Sequence, residues 1–390
     1  MSLHFTALEF ARRKNRLLAE MAERQLDGML MFQQESMYWL TGYDTFGFCF
    51  FQSLWLGIDG RIALLTRSAD LRQAQHTSLI EDIRVWRDSA HSTPQQQLRD
   101  MVADLAGSEV GRPSPRIGVE YDSYGLTAAN GRKLDAAFDG FAVLSDTSGL
   151  VDYLRAVKSE EEIFYVRKAG QLALDARQAA IELVAPGVDE GEVLAAMQGA
   201  VFKGGGDYPG NEFIIGSARD ALLCRYKSGR RRLDARDQIT LEWAGAYRRY
   251  HAAMMETVLV GEPYDRHIDL FNAARLALEA CARHIVPGRT AGEVFAAHSE
   301  VMDGHGLAEH RLAACGYSLG AKFTPSWMDP PMFYEANPWV LEPGMVMFAH
   351  MILMDSASET AMCLGRTYLV TVNGNEPLTG APLDLIVNNR

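Results

Sequence analysis

The chain has few cysteines, and none of them are spaced as in a zinc site or a compact disulfide framework. Its 390 residues contain five, an odd number, at scattered positions: Cys49, Cys224, Cys281, Cys315 and Cys363. Secreted disulfide scaffolds are short and rich in cysteine, and zinc sites place their ligands a few residues apart. The pattern therefore predicts reduced thiols and a cytoplasmic protein.

Positive charge and long apolar runs are also scarce. Lys and Arg number 38 against 50 Asp and Glu, which gives a formal net charge of −12. Nucleic acids are bound through basic surface that displaces counterions, so this balance argues against them. No apolar run approaches the roughly 20 residues of a membrane helix, and the charged first residues do not resemble a secretory signal. We expect a small-molecule substrate, with no nucleic acid and no membrane as partner.

The length and the apolar pattern predict two domains. A single core stops growing at roughly 250 to 300 residues, which this chain exceeds. In the first part of the chain, strand and helix patterns alternate, which favours an α/β layer with a mixed or parallel sheet. Val151–Ala156 leads out of this layer, so we place the domains at residues 1–152 and 153–390.

Helix signals mark the second domain. Ser159 followed by three glutamates is typical of a helix N-terminus, where a hydroxyl caps and the dipole favours anions. Further helices are predicted at Glu190–Lys203 and Ala291–Gly304. The histidines of the later helices show no metal-like spacing and are interpreted as surface or helix-end residues: His284, His298, His305 and His310.

The stretch Gln238–Pro263 is interpreted as two strands joined by a tight turn. Bulky and β-branched apolar residues on both sides suit a half-buried pleated surface. Gly245 and Ala246 mark the expected reversal. Glu242 lies inside the first strand, where an acid is rarely buried without a partner. We therefore expect the chemistry of the chain to depend on Glu242.

This stretch resembles the strand pair of the creatinase/prolidase family, the pita-bread or M24 peptidase-like group. Similar segments are Gly316–Trp327 (GYSLGAKFTPSW), Leu341–Met345 (LEPGM) and Gly365–Thr379. The resemblance implies an α/β N-terminal domain followed by an α+β pita-bread catalytic domain, the creatinase/aminopeptidase fold. It also implies a homodimer in which the N-terminal domain reaches the partner's active site.

Metal-binding members of this family use five ligand positions, and the sequence departs from that set. The resemblance places Glu242 and Ala253 at the two Asp positions and Tyr317 at the His position. The two remaining carboxylate positions fall on His350 and Gly365. Paired divalent ions need several hard oxygen ligands, and one carboxylate with one imidazole cannot supply them. We predict no metal and no other cofactor.

Two groups in the family work without metal, creatinase and the ectoine hydrolases, and both hydrolyse C–N bonds in small, charged, amidine-like molecules. The residues around Glu242 and in Gly316–Trp327 resemble the ectoine-hydrolase side. We therefore predict a metal-independent hydrolase of a C–N bond in a small zwitterionic or amidine-like metabolite. Two alternatives stay open: a metal-dependent Xaa-Pro dipeptidase or aminopeptidase, and a non-catalytic ligand-binding relative.

Three side chains are candidates for catalysis. Glu242 is the expected nucleophile or base. His350 is expected to exchange the proton, because an unperturbed imidazole titrates near working pH. Tyr317 can donate a hydrogen bond to a developing oxyanion or to the leaving group. Glu256 lies on the other face of its strand by alternation and is predicted to be structural.

Five further side chains are candidates for binding the substrate. Arg225 stands where peptidase members place a proton-shuttling His; its planar fork can bind a carboxylate at two points, and a structural ion pair is the alternative. His251 shares the site face of its strand by alternation, and Asp329 is a reserve acid. Tyr43 and Phe48 belong to an aromatic stretch that is either core or a pocket wall.

Overall fold

The computed structural model describes residues 3–106, 114–225 and 230–389. It divides into two compact units, Met1–Arg155 and Ala156–Arg390, so the division falls about three residues after the boundary placed from the sequence. Within the described residues, no helix is both long and apolar enough to cross a lipid bilayer. All five cysteines are free.

The first unit is built on a mixed six-stranded sheet. Its strands are β1 (Gly28–Met31), β2 (Ser53–Gly57), β3 (Ile62–Arg67), β4 (Asp82–Trp86), β5 (Arg116–Val119) and β6 (Val143–Asp146). They lie in the order β4-β3-β2-β1-β5-β6, with β2 antiparallel to both neighbours and the other pairs parallel. Its helices are α1 (Ala7–Glu23), α2 (Gln34–Thr41), α3 (Leu71–Thr77), α4 (Pro94–Ala106), α5 (Ala128–Phe138) and α6 (Leu150–Ala156).

Helices cover both faces of this sheet. Alternate strand residues enter two separate apolar clusters: Met29 packs with residues of α1 and α2, and Leu30 with residues of α4 and α5. Strands that are buried on both faces are typical of α/β proteins. The α/β architecture predicted for this part of the chain is confirmed.

The aromatic stretch of the first unit is partly core and partly exposed. Tyr43 is fully buried and its Oη donates to Gln52 Oε1 at 3.1 Å, and Phe48 is also buried. Phe46 and Phe50 are 78% and 43% exposed. The two candidate pocket residues, Tyr43 and Phe48, are therefore both buried inside the first unit.

The second unit is an α+β unit with a large, mostly antiparallel sheet of nine strands. Its strands are β7 (Ile214–Ser217), β8 (Asp237–Tyr247), β9 (Tyr250–Val260), β10 (Ala314–Ser318), β11 (Asp329–Tyr334), β12 (Val346–Asp355), β13 (Thr360–Thr371), β14 (Gly374–Pro377) and β15 (Ile386–Asn388). The main order is β11-β10-β12-β13-β9-β8-β7. Its helices are α7 (Glu160–Leu183), α8 (Glu190–Lys203), α9 (Asp265–His284) and α10 (Ala291–Gly304).

The long hairpin of β8 and β9 reverses at Arg248 and Arg249, so the prediction of a turn at Gly245 and Ala246 was wrong. The two arginines have φ values of 51° and 67°, as a two-residue type I′ turn requires. Gly245 lies inside β8, where an added Cβ would meet the carbonyl oxygen of Ala169 in α7 at 2.0 Å. The glycine therefore permits close packing of the helix on the strand.

The predicted helices of the second unit are confirmed. α7 begins with a complete capping box, in which Ser159 Oγ accepts from Glu162 N and the Glu162 carboxylate accepts from Ser159 N. α8 and α10 have the predicted bounds. The interpretation of His298 as a surface or helix-end residue was wrong, because it lies in the middle of α10 and is 1% exposed. A helical pattern alone did not show that this histidine faces the core.

Candidate active site

A row of paired residues crosses the sheet of the second unit and holds two of the candidate catalytic side chains. Glu242 on β8 pairs with Met255 on β9, Met255 pairs with Gly365 on β13, and Gly365 pairs with His350 on β12. Directly opposite residues of paired strands point to the same face of a sheet. Glu242 and His350 therefore face the same side of the sheet. Gly365, next to His350 in this row, has no side chain.

Tyr317 joins this face from β10 and links Glu242 to Trp327. It pairs with Phe348, two residues before His350, so its side chain points to the same side. Tyr317 Oη donates to Glu242 Oε1 at 3.3 Å and accepts from Trp327 Nε1 at 2.9 Å. The three side chains are buried. They form a continuous chain of hydrogen bonds from the indole to the carboxylate.

A cavity of about 150 Å³ lies among these side chains. Glu242, Tyr317, His350 and Trp327 line it, and Arg225 lines it with an exposed side chain. Pockets for drug-sized ligands start at roughly 300 Å³, so this one suits a small metabolite. The remaining lining residues are mostly apolar: Asn211, Cys224, Leu312, Ala314, Met328, Met332 and Ile352.

Glu242 is poised between its two protonation states. Burial raises its pKa to about 7, because a carboxylate loses its hydration in the cavity. The positive charge of Arg225 and the hydrogen bond from Tyr317 act in the opposite direction and limit the rise. A carboxyl group that titrates near neutral pH suits a residue that must gain and lose a proton during turnover.

His350 is neutral in the folded protein, so the expectation that it titrates near working pH is not met. Burial lowers its pKa to about 3, and the imidazole of His298 on α10 contributes to the lowering. Its Nδ1 is buried and has no hydrogen-bond partner among the described residues. The ring as a whole lines the cavity, and a neutral imidazole can accept a hydrogen bond through its unprotonated nitrogen.

His251 shares the face of Glu242 but lies outside the cavity lining. It pairs with Ala246, four residues along β8, which is about 13 Å at the usual strand rise. Gly210 N donates to its Nε2 at 2.8 Å, so its Nδ1 is the donor to Gly320 O at 3.2 Å. Both ring nitrogens are therefore occupied by backbone groups, and burial lowers its pKa to about 4.

The remaining acidic candidate also lies outside the cavity lining. Asp329 is buried on β11, with Lys322 Nζ at 3.6 Å. Glu256 lies on the other face of β9 and pairs with Arg177 and with Arg366, the latter at 2.5 Å. The structure thus brings Arg225, Glu242, Tyr317 and His350 together and leaves His251, Asp329, Tyr43 and Phe48 outside: these last four are not among the residues that line the cavity.

Trp327 is one of the cavity-lining residues that sequence reasoning missed. It belongs to the segment that carried the family resemblance, yet no period or spacing assigned it a role. The loop between β10 and β11 places its indole N–H on Tyr317. Cys224 was missed for the same reason, since it reaches the cavity from a loop next to Arg225.

The side chains at the family's metal positions do not fit a pair of divalent ions. Ala253 and Gly365 carry no donor atom, and a Cβ added at Gly365 would lie 2.7 Å from Phe348 Cζ and 3.0 Å from Met255 Cβ. Glu242 alone supplies a carboxylate, whereas paired hard cations need several oxygen ligands. In the described ranges, no group of three or more His, Cys, Asp or Glu could hold a metal ion.

Comparison with known proteins assigns both units. Residues 13–157 match the creatinase/prolidase N-terminal domain and residues 165–372 match metallopeptidase family M24. Among solved structures, the chain is similar to a prolidase from Thermococcus sibiricus, with a TM-score of 0.87, 18% identity and coverage of 98% of this chain and 100% of that one. The predicted two-part fold is confirmed.

Curated relatives of different activity match the chain. It is 30% identical to an uncharacterized hydrolase/peptidase of Sinorhizobium fredii and 27% identical to the ectoine hydrolase of Halomonas elongata, each over 99% of both chains. It is 25% identical to the Xaa-Pro dipeptidase of Pyrococcus furiosus, over 60% of this chain and 66% of that one. The full-length matches therefore include an enzyme named as an ectoine hydrolase and not as a peptidase.

Proposed function

This chain belongs to metallopeptidase family M24, and from that premise we propose that it is a metal-independent hydrolase of a C–N bond in a small zwitterionic or amidine-like metabolite. The observation that carries the proposal is the set of side chains in the cavity. A buried glutamate, a tyrosine and a neutral histidine lie where a two-metal peptidase site needs several carboxylates. The full-length similarity to an ectoine hydrolase supports the same conclusion.

Glu242 supplies the negative charge of the reaction. An amidine is cationic at neutral pH, and its central carbon is electrophilic. Ionised Glu242 attacks this carbon and forms a covalent intermediate that water then hydrolyses, or it removes a proton from a water molecule that attacks the carbon. In both routes the oxygen of water ends on carbon, and the released nitrogen leaves with a proton.

Tyr317 and His350 complete the proton balance. The Tyr317 hydroxyl donates to Glu242 before reaction and can donate to the charge that develops on the substrate. In the water route Glu242 takes the first proton of the attacking water and passes it to the leaving nitrogen, and neutral His350 can accept the second proton as the carbonyl group forms. Because its pKa is lowered to about 3, His350 enters the cycle as a base and becomes an acid only after it has taken up that proton.

Arg225 and the apolar wall define the substrate. The guanidinium is exposed at the cavity, near enough to lower the pKa of Glu242, and it can bind a substrate carboxylate at two points. Trp327 and Met332 offer an apolar surface against which a compact ring or chain can pack. A molecule with a carboxylate at one end and a cationic C–N centre at the other fits this arrangement.

We also propose that the protein is cytoplasmic and works as a homodimer in which the first unit reaches the partner's cavity. The exposed aromatic side chains of Phe46 and Phe50 support such a contact, since exposed aromatic pairs are enriched at interfaces.

Activity measurements on purified protein test the proposal. Ectoine, creatine and Xaa-Pro dipeptides would be incubated with the enzyme with and without a chelator, and the protein's metal content measured in parallel. We expect turnover of an amidine-type compound that survives chelation. Stoichiometric Mn, Co or Zn together with cleavage of Xaa-Pro dipeptides alone would overturn it.

The second candidate is an Xaa-Pro dipeptidase, favoured by the similarity to the enzyme of Pyrococcus furiosus. Against it stand the missing donors at Ala253 and Gly365. Loss of all activity on chelation, with recovery on adding back one metal, would favour this candidate. Thermal stabilisation by a ligand with no product in mass spectrometry would instead indicate a non-catalytic binding protein.

A further inference from the structure

We propose that Trp327 is a positioning residue of this site, which holds the Tyr317 hydroxyl in the orientation that donates to Glu242. The inference rests on the proposed function, because it assigns Trp327 a part in the reaction that Glu242 and Tyr317 perform. Trp327 acts through Tyr317, and its indole ring also forms part of the cavity wall.

The direction of the hydrogen-bond chain follows from what each group can donate. An indole N–H only donates, whereas a tyrosine hydroxyl donates once and accepts through its lone pairs. With Trp327 Nε1 at 2.9 Å, the Tyr317 oxygen is an acceptor on that side. Its own hydrogen must point elsewhere, and Glu242 Oε1 lies at 3.3 Å. The order is therefore Trp327 to Tyr317 to Glu242.

Without the indole this order would not be fixed. A glutamate that titrates near neutral pH alternates between an acceptor and a donor, and a tyrosine hydroxyl with no other partner can turn to accept from the protonated acid. The Trp327 N–H is a donor in both states of Glu242, so it keeps one side of the Tyr317 oxygen occupied. One acceptor site of the oxygen is then taken, which favours the orientation in which the single hydroxyl hydrogen points to Glu242 Oε1.

The indole itself is held firmly. Trp327 is 1% exposed, and the ring of His251 packs against it with centroids 6.5 Å apart. Both nitrogens of His251 are bound by the backbone at Gly210 and Gly320. His251 therefore shares the face of Glu242 without lining the cavity, and its ring contacts Trp327, which does line it.

Polarisation adds to the effect. A hydrogen bond received by a hydroxyl oxygen makes the hydroxyl a better donor, because chains of hydrogen bonds strengthen one another. The bond from Trp327 accordingly acts to lower the pKa of Tyr317, against the larger opposite effect of burial. The Tyr317 hydroxyl can then change its acceptor from Glu242 to the negatively charged substrate atom, while its oxygen still accepts from the Trp327 indole.

A double-mutant cycle tests the proposal. Trp327→Phe keeps a ring in the wall and removes the N–H; Tyr317→Phe removes the hydroxyl. We expect Trp327→Phe to lower kcat about tenfold, as for one lost hydrogen bond in a site, with KM changed little. In the Tyr317→Phe background the same substitution should have no further effect on kcat. An equal loss of kcat in both backgrounds, or a change in KM alone, would overturn the proposal.

The matched control is Trp86→Phe. Trp86 is a buried tryptophan of the first unit whose Nε1 donates to Phe51 O at 2.8 Å. This substitution removes an indole hydrogen bond of the same kind from a residue that contacts neither Glu242 nor Tyr317, and Phe46 and Phe50 themselves are left unchanged. Its kcat should equal that of the unmodified chain, and a decrease like that of Trp327→Phe would show a general effect of lost tryptophan bonds.

A second readout needs no substrate. The indole N–H signals of the six tryptophans can be observed by NMR after ¹⁵N labelling, and Trp327→Phe identifies the signal of Trp327. Tyr317→Phe should shift that signal and leave the others in place; an unmoved signal would show that the bond is absent. If no compound is turned over, the proposed function fails while this measurement still decides the bond. Should Trp327→Phe not fold, the Trp327 signal is identified by backbone and side-chain assignment, and its shift in Tyr317→Phe tests the same bond.

Discussion

At the scale of single residues, the raised pKa of Glu242 has a cost in stability. Its pKa is about 7 in the folded protein and 4.5 as an ordinary glutamate, so the folded state binds the proton more tightly than the unfolded state. The protonated form is tolerated at low pH, and the folded state loses stability as pH rises from about 4.5 to 7. The shift corresponds to about 3 kcal/mol of destabilisation at higher pH.

Glu242→Gln should therefore stabilise the protein and abolish turnover. The amide keeps the shape and an acceptor for Tyr317 but cannot ionise, so the gain in the free energy of unfolding should be larger at pH 8 than at pH 5. Urea unfolding at the two pH values measures it. We expect kcat to fall by about a thousandfold or more. Loss of stability at pH 8 would show instead that the carboxylate is well paired in the cavity.

The pH dependence of activity should show one acidic limb, near pH 7. In the proposed mechanism Glu242 must be ionised to react, whereas His350, with its pKa lowered to about 3, stays neutral throughout and adds no limb near 6.5. Tyr317→Phe removes a hydrogen bond that lowers the pKa of Glu242, so the limb should move to higher pH. Profiles of kcat/KM between pH 5 and 9 check both points. A limb near 6.5 that is lost in His350→Gln would contradict this assignment.

From the sequence we could predict which face of a strand a residue occupies, but not its distance from the cavity. Strand alternation placed His251 on the face of Glu242, which the structure bears out, but alternation cannot measure distance along a strand. Trp327 escaped prediction because an irregular loop carries it. The neutral state of His350 could not be predicted either, since it depends on burial beneath α10.

At the scale of elements, the β8 and β9 hairpin shows why a turn cannot be assigned from composition alone. Gly245 looked like a turn residue, yet it serves the packing of α7 on β8, and two arginines form the turn. The helix that closes on the strand is distant in sequence, so no local pattern contains this information. By contrast the start of α7 was predictable, because a capping box is a local motif.

Gly245→Ala should be strongly destabilising. Its new methyl group would lie 2.0 Å from the carbonyl oxygen of Ala169, so α7 must move away from the sheet at a cost of roughly 1 to 3 kcal/mol or more. The control is Gly199→Ala inside α8, where nothing lies within 4 Å of the added Cβ and a stabilisation of up to about 1 kcal/mol is expected. Urea unfolding of both variants decides. Equal stabilities would argue against close packing at Gly245.

Glu120 offers a structural counterpart to Glu242 in the first unit. Burial also raises its pKa to about 7, yet its carboxylate accepts from the backbone N–H groups of Phe32 and Gln33 and from Ser36 Oγ at the start of α2. Glu120→Ala leaves these donors without an acceptor and should cost roughly 2 kcal/mol or more. Activity per folded molecule should be unchanged, and a lower kcat at full folding would assign Glu120 another role.

At the scale of the whole molecule, the proposed dimer can be tested by mixing chains. If Phe46 serves the partner's cavity, Phe46→Ala should reduce kcat/KM without dissociating the dimer, as measured by light scattering. Dimers mixed from Glu242→Gln and Phe46→Ala chains should recover about a quarter of the activity, because half of them are mixed and each holds one complete site. No recovery would mean that Phe46 acts within its own chain or not at all.

The two-part architecture was predictable from the sequence to a large extent. Alternating patterns indicated the α/β layer, and the segments that resemble the creatinase/prolidase family indicated the second unit, which family matches over residues 13–157 and 165–372 confirm. The order of strands in the second sheet was not predicted, because pairing between distant strands such as β13 and β9 leaves no local signal.

The ring of Phe348 against Gly365 has a consequence for inhibitor design. Compounds built around a chelating group, such as hydroxamates and phosphinates, obtain much of their affinity from the ions of dinuclear peptidases. Beside Gly365 such a group would meet an aromatic edge. On the proposed function, a selective ligand for this cavity should instead imitate a planar amidinium with a carboxylate tail, and a screen that includes such a ligand tests that proposal.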